Sequence, residues 1–410
     1  MAGQRVIFEN VRIVTPLPSA KGLPLRGADA RTLRVVPRGH VVCQDGRVTS
    51  VGESPAAADT AGALRVDGAG RVLLPALVDC HTHACWAGER WGEWEAKRAG
   101  VPYLEILKHG GGIMSTVRAV RAASEDNLAG MLAGRLVEMR ACGTGAVEVK
   151  TGYGLDTATE LKMLRAIQRV AGRWPAPVVP TLLAGHALDK DNPAQLQDML
   201  DLVPQAAQLA PGIAVDAFCE EGAWTLDMTR ALLERAHAAG LPVRLHVDQF
   251  NALGGLELAL QLGARSVDHL EATTSDGLRA LAASSTIGVA LPVCGFALDG
   301  RYANARALLD HGGALALASN WNPGSAPSPS VAFAAALACR FMGLTPAEAL
   351  VAITWNAACV LGLQDQCGAI APGYRSDLIL LPHTDERALC YEVASSGPDA
   401  SLLGTDLRVK

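Results

Sequence analysis

From Leu73 onward the chain repeats one alternation: a short apolar or β-branched run, then a longer stretch with helical periodicity. The runs are Leu73–Asp79, Gly145–Lys150, Val178–Leu183, Ile213–Phe218, Val243–Val247, Arg265–His269, Ile287–Pro292 and Ala314–Ala318. Between them lie helical stretches such as Ala158–Ala171, Leu226–Ala239 and Leu256–Leu262. Short β-branched runs suit buried strands, and apolar spacing near 3.6 suits helices that cover them. About eight such units predict an α/β fold of the (β/α)8 TIM-barrel class. An open doubly wound sheet is the competing architecture. It favours a glycine-rich phosphate turn after its first strand, and none follows Leu73–Asp79.

The two ends of the chain read differently. Residues 1–70 hold short alternating segments, with Asp45-Gly46 as a hairpin signal between two of them. Residues 365–410 return to strand-like pieces such as Ser376–Leu381. The expected organisation is a small β-sandwich domain, formed by 1–70 plus 365–410, and a barrel over 71–364.

Bulk properties narrow the function classes. The 410 residues are 50% hydrophobic and 19% charged, enough apolar matter for a large core. A net charge of -5, an aromatic fraction of 4% and the lack of a basic block argue against a nucleic-acid partner. No apolar run reaches the roughly 18 residues of a membrane span. Ten cysteines spread without a CxxC pair read as reduced thiols. The first residues lack a basic stretch followed by an apolar one, so a cytoplasmic protein without a signal peptide is expected.

In a barrel, chemistry gathers where the strands end at their C-terminal face. The first candidate strand runs into His81-Thr82-His83, and side chains two apart in extended chain point the same way. The fifth ends near His246 and Gln249, the sixth at His269, and the eighth runs into Asn320-Trp321-Asn322-Pro323-Gly324. One such histidine is ordinarily a hydrogen-bonded core residue. Two imidazoles on one side can share one cation, and four histidines at strand ends are hard to obtain as satisfied core residues. His40, His109, His237, His311 and His383 fall outside this pattern.

The set resembles the amidohydrolase superfamily, and within it the imidazolonepropionases, which open the imidazolone ring in histidine breakdown. The shared stretches are His81-Thr-His83 with Ala87-Gly-Glu-Arg90, Gly110–Arg118, Val147–Leu155, Glu160–Arg165, Phe218–Gly222, Leu253-Gly-Gly and Asn322-Pro-Gly-Ser. They cover nearly the whole chain. The resemblance implies that His81, His83 and His246 are metal ligands for one divalent ion: zinc, with iron or manganese as alternatives. It implies that Arg90, Tyr153, His186, Asn322, Gly324 and Ser325 bind substrate. The guanidinium of Arg90 matches two carboxylate oxygens of a propionate, and its competing role is an ion pair with Glu89 or Glu93. Gln249 and His269 would act beside the activated water. Lys150 is expected to be an ion-paired support. The implied partner is a small anionic heterocycle, and a homodimer is compatible although no separate dimer motif is visible.

The chain departs from the family at one telling place. The family has Asp where Asn320 stands, and that Asp contacts the metal and shuttles a proton. A neutral amide cannot take up and return a proton. Asn320 can still orient the water or offer a carbonyl oxygen to the metal. Three expectations follow. The favoured one is attack on the carbon between the two ring nitrogens of a 2-thioxo-5-oxoimidazolidine propionate, releasing sulfide and keeping the ring as a hydantoin propionate. Sulfide leaves with little help from an acid. The second is ordinary ring-opening imidazolonepropionase activity, expected to begin with attack on that same ring carbon and requiring a substitute acid. The third is a catalytically silent metal- or ligand-binding protein, opposed by retention of the histidines and Arg90.

Overall fold

In the computed structural model, residues 4–19, 21–53, 62–102, 105, 109–394 and 396–410 are described. Two sheets organise them. The larger contains eight parallel strands in chain order: β6 (Leu77–Asp79), β7 (Thr144–Lys150), β8 (Val178–Gly185), β9 (Ala214–Cys219), β10 (Arg244–Val247), β11 (Ser266–His269), β12 (Ile287–Ala290) and β13 (Leu315–Leu317). Sequential neighbours throughout give the winding of a TIM barrel and rule out the reversed order of a doubly wound sheet. Its seam closes just beyond the strand ends. There Asn320 N donates to His81 O at 3.0 Å, and His83 N donates to Trp321 O at 3.0 Å.

Helices alternate with the strands, and their starts follow from the sequence. Ser124, Asp156, Thr225 and Thr274 each accept a hydrogen bond from a first-turn backbone N–H, which fixes the starts of Glu125–Ala141, Thr157–Ala171, Leu226–Ala238 and Ser275–Ala283. No helix among the described residues is long and apolar enough to cross a membrane.

The period-2 rule divides each barrel strand between two environments. Val147, Val149, Val215, Ala217, Leu245, Val247 and Val267 face the helix layer and join its apolar core. The alternate positions carry Glu148, Lys150, Asp216, Arg244, His246, Ser266 and Asp268, all buried inside the barrel. Barrel interiors are usually filled by branched aliphatic residues. This one carries a charged layer.

The smaller sheet joins both ends of the chain. Its strands are β1 (Arg5–Pro16), β2 (Leu33–Gln44), β3 (Arg47–Gly52), β4 (Leu64–Asp67), β5 (Val72–Pro75), β14 (Leu378–Leu380), β15 (Ala400–Leu403) and β16 (Asp406–Val409). They form one hydrogen-bonded path, β16-β15-β14-β5-β1-β2-β3, with β4 added to β1. Val6, Phe8, Val41 and Val48 from the N-terminal strands share a core with Leu378, Leu380 and Leu402. Alternation again does the sorting, since Ile379 and Leu381 turn the other way and join the core of the barrel.

The expected strand Leu73–Asp79 is two strands. Val72–Pro75 pairs with β1 and β14 in the small sheet, whereas Leu77–Asp79 pairs with β7 as the first barrel strand. Pro75 has no N–H to continue a ladder, and the chain changes sheets directly after it.

Candidate metal centre and active site

The segment after β6 carries the first two histidines. His81 and His83 project to the same side with ring centroids 5.3 Å apart, and the ring of His246, from β10, lies 4.5 Å from that of His81. One ligand atom from each of the three lies within 4.8 Å of the others. Both His81 Nε2 and His246 Nε2 are buried without a hydrogen-bond partner. Orphaned buried nitrogens are rare, and a cation at their focus would satisfy them. The donor set of three imidazoles fits zinc or another divalent first-row ion.

The opposite ring nitrogens are tied to carboxylates. His81 Nδ1 lies 2.6 Å from Asp268 Oδ2, and His246 Nδ1 lies 3.1 Å from Asp216 Oδ1. With Nδ1–H donating, each Nε2 keeps its lone pair directed at the focus. Burial pushes the pKa of His81 and His83 well below the ordinary imidazole value, reinforced by nearby Lys150 for His81 and by His186 for His83. His246 is also lowered by burial, against the opposing pull of Asp216. All three are therefore neutral and able to ligate.

Behind them stands a closed ion network. Arg244 donates to Asp268 Oδ2 at 2.6 Å, to Ser266 Oγ at 2.8 Å, to Cys80 O at 2.9 Å and to Glu148. Lys150 Nζ donates to Asp216 Oδ2 at 2.7 Å and to Glu148 Oε1 at 3.1 Å. Burial would raise the carboxyl pKa of Asp216, but His246 and Lys150 outweigh it and hold the group well below the usual range. Three carboxylates face two cationic side chains here, so the wall behind the histidines carries excess negative charge that favours a bound cation. Asp79 adds less, because burial pushes its pKa up to about 7.

His186 and Tyr153 continue the cluster. His186 stacks on His83 at 5.0 Å and donates through Nδ1 to Gly152 O at 2.8 Å. Burial, and then His246, lower its pKa to about 3, so it too is neutral. Tyr153 lies 5.1 Å from His186 and 5.9 Å from His83. Its loop is held by Glu160, whose carboxylate accepts from Gly152 N, Gly154 N and Leu155 N at 2.7–2.9 Å. The φ of Leu155, 58°, requires that support.

The eighth strand leads into a tight loop. Asn320 is buried in a left-handed conformation with φ 54°. Asn322 Nδ2 donates to Asn320 O at 2.7 Å, and Asn322 Oδ1 accepts from Gly324 N and Ser325 N, both at 2.8 Å. Arg90 packs against this loop, and a Cβ on Gly324 would stand 2.2 Å from Arg90 Nη1. Arg90 also makes the ion pair considered for it, donating to Glu93 through Nε at 3.0 Å and Nη2 at 2.8 Å.

His269, with φ 91°, places its ring 5.6 Å from His246 and 6.1 Å from His81. Gln249 Nε2 donates to Cys294 Sγ at 3.4 Å. The structure thus gathers His81, His83, Tyr153, His186, His246 and His269 into one ring cluster. Arg90, Asn322, Gly324 and Ser325 form an adjoining group, and Gln249 turns towards the end of β12. Asn320 reaches the cluster through its backbone bond to His81.

Several residues of this arrangement escape a motif reading. Glu148, Asp216, Arg244 and Asp268 form the wall behind the histidines. The available signal was a polar residue at every second position of otherwise apolar strands. Arg135 buttresses the loop after β6, donating to Ala84 O and Trp86 O at 3.0 and 2.9 Å from the neighbouring helix. Nothing local in the sequence marks it.

Comparison with known proteins agrees with this architecture. Residues 72–393 match the model described as the amidohydrolase family. An imidazolonepropionase of Herpetosiphon aurantiacus is 41% identical over 386 residues, covering 91% of this chain and 90% of the relative. An imidazolonepropionase of Deinococcus deserti is 43% identical over 386 residues, covering 94% of both. Among solved structures, E. coli guanine deaminase superposes with TM-score 0.76 at 12% identity, over 98% of each chain. A 5-methylcytosine deaminase from Klebsiella pneumoniae gives 0.74 at 18% identity, over 99% of this chain and 98% of that one. At such identities the likeness speaks for the fold.

Proposed function

The chain belongs to the amidohydrolase family and is a hydrolase of that superfamily, and from that premise we propose that it opens the ring of imidazolone propionate by hydrolysing its cyclic amide bond. The observation that carries this reading is the array of neutral histidines beside Arg90 and the Asn322–Ser325 loop. It is supported by relatives named imidazolonepropionase at about 40% identity over most of the chain. The sulfide-releasing variant gains no such support, so ring opening takes its place as the leading reading.

The expectation that both chemistries attack one shared carbon does not hold, because they differ in the carbon that must receive the water oxygen. Displacing sulfur requires attack on the carbon between the ring nitrogens. Opening the amide requires attack on the ring carbonyl carbon, the acyl carbon of that bond. Water supplies oxygen to this carbon, the carbon–nitrogen bond breaks, and the nitrogen leaves with a proton. The products are a carboxylic acid and an amidine.

His81, His83 and His246 would hold one divalent ion, zinc in our reading, which supplies water activation and carbonyl polarisation. Arg90 would take the propionate carboxylate, framed by Asn322, Gly324 and Ser325. Tyr153 and His186 would hold the ring against His83. His186 donates through Nδ1 to Gly152, which leaves Nε2 to receive a substrate N–H. Gln249, whose Nε2 is tied to Cys294, would orient the water through its amide oxygen.

The departing nitrogen needs a proton that Asn320 cannot give. His269 would move it. Its Nδ1 is 3.3 Å from Glu271 Oε1, a contact that orients the ring. Asn320 would contribute position, fixing the loop against His81.

Asn320 also keeps the desulfuration reading distinct and testable. Metal-loaded protein should consume imidazolone propionate, read as loss of ring absorbance, without sulfide release from the 2-thioxo analogue. Sulfide release from that analogue, with imidazolone propionate untouched, would replace our reading with the second one. Inertness towards both would leave the silent binder.

A further inference from the structure

The mouth of the barrel holds a second group of potential ligands that the proposed reaction does not use as a set. His269 ends β11, Glu271 follows two residues later, and Cys294 lies in the helix Pro292–Leu298 after β12. One ligand atom from each lies within 4.8 Å of the others. The three are withdrawn from water, with side-chain exposures of 4% for His269 and 5% for Glu271 and a residue exposure of 1% for Cys294.

Two features set this group apart from a chance cluster. Glu271 Oε2 is buried with no hydrogen-bond partner. A carboxylate oxygen left unpaired in a low-dielectric site is destabilising, and a cation removes that penalty. The backbone is also turned for the purpose. His269 and Leu270 both adopt left-handed conformations, φ 91° and 77°, and this bend returns Glu271 to the side of His269. Gln249 Nε2, donating at 3.4 Å, already orients the sulfur of Cys294.

We propose that His269, Glu271 and Cys294 form a second divalent-cation site, beside the three-histidine site and sharing no ligand with it. Imidazole, carboxylate and thiolate together are a zinc-type donor set, selective for borderline ions such as zinc, cobalt(II) or cadmium over magnesium or calcium. Binding replaces the thiol proton: the S–H bond breaks, the proton goes to solvent, and the sulfur lone pair bonds the cation. The His269 ring is 5.6 Å from that of His246, so two cations would sit side by side in one mouth, and a filled second site would withdraw His269 from proton transfer and inhibit the proposed reaction.

Cobalt(II) titration of the metal-free full-length protein tests this, because thiolate–cobalt bonds give a near-ultraviolet charge-transfer band and imidazole ligands do not. Wild type should take up two equivalents and show the band. Cys294→Ser and Glu271→Gln should each lose one equivalent, with the band abolished in Cys294→Ser. His81→Ala should lose the other equivalent and keep the band. Circular dichroism checks that each variant is folded. Uptake of a single equivalent, absence of the band in wild type, or a band that survives Cys294→Ser overturns the proposal. These readouts follow the metal and not turnover, so their failure leaves the hydrolase reading standing.

Discussion

The two walls of the barrel mouth are built on different principles. The wall behind the histidines, on β7, β9, β10 and β11, is a closed network in which Glu148, Lys150, Asp216, Arg244 and Asp268 satisfy one another and orient His81 and His246. The facing wall, made of loops, relies on backbone contacts. Asn322 caps its own loop, Glu160 caps the loop of Tyr153, and Arg90 leans on Gly324. Strand positions are fixed by neighbours on both sides, so charges placed there would hold a metal geometry rigidly. Loop positions can change with little effect on the barrel, which suits residues that set substrate choice.

The sharpest way to break this contrast is to remove one charge from the rear wall. Asp268→Ala strips a partner from both His81 and Arg244 and leaves the buried guanidinium with Glu148 as its one remaining carboxylate. Stability should fall by about 3–5 kcal/mol, and metal affinity by about 10- to 100-fold. Chemical denaturation and metal analysis read both. Unchanged values for the two would show that the network is dispensable for holding the site.

The front wall should respond differently. Arg90→Ala should lower kcat/KM by roughly 10²-fold, mostly through KM, since a hydrogen bond to a charged group contributes about 1.5–3 kcal/mol. Its metal content and thermal midpoint should stay near wild type. A fall in metal content would mean that the two walls are not independent.

The smallest expected effect probes the junction between them. Asn320→Asp places a carboxylate in the loop tied to His81 and adds a second proton carrier, and should raise ring opening by about tenfold, less than the roughly 10²–10⁴-fold of a sole acid–base group because His269 would already move the proton. A rate that does not move would show that His269 and Glu271 already supply the proton. A variant that turns to sulfide release would reverse our order of the two readings.

Much of this was legible in the sequence. The alternation after Leu73 carries the barrel because the helix-facing side of each buried strand must be apolar, and helices must cover it. His81, His83, His246 and His269 were visible because strand ends are few and histidine is scarce, at ten in the chain. Cys294 was visible only as a thiol near the site, and its pairing with Gln249, His269 and Glu271 was not. The strand Leu73–Asp79 misled because a continuous apolar run does not reveal a change of sheet at Pro75. Arg135 and Glu160 were hidden for another reason. Each acts on backbone groups of a segment it meets only after folding.

By itself, then, the sequence determined which strands are buried and which residues end them, because each of these depends on residue type and spacing along the chain. The tertiary structure decided which buried charges meet, which histidine nitrogens are left free, and where Glu271 and Cys294 lie. Those depend on register between strands and on sharp turns at strand ends, and no local pattern encodes the distance between side chains brought together from opposite sides of a closed barrel.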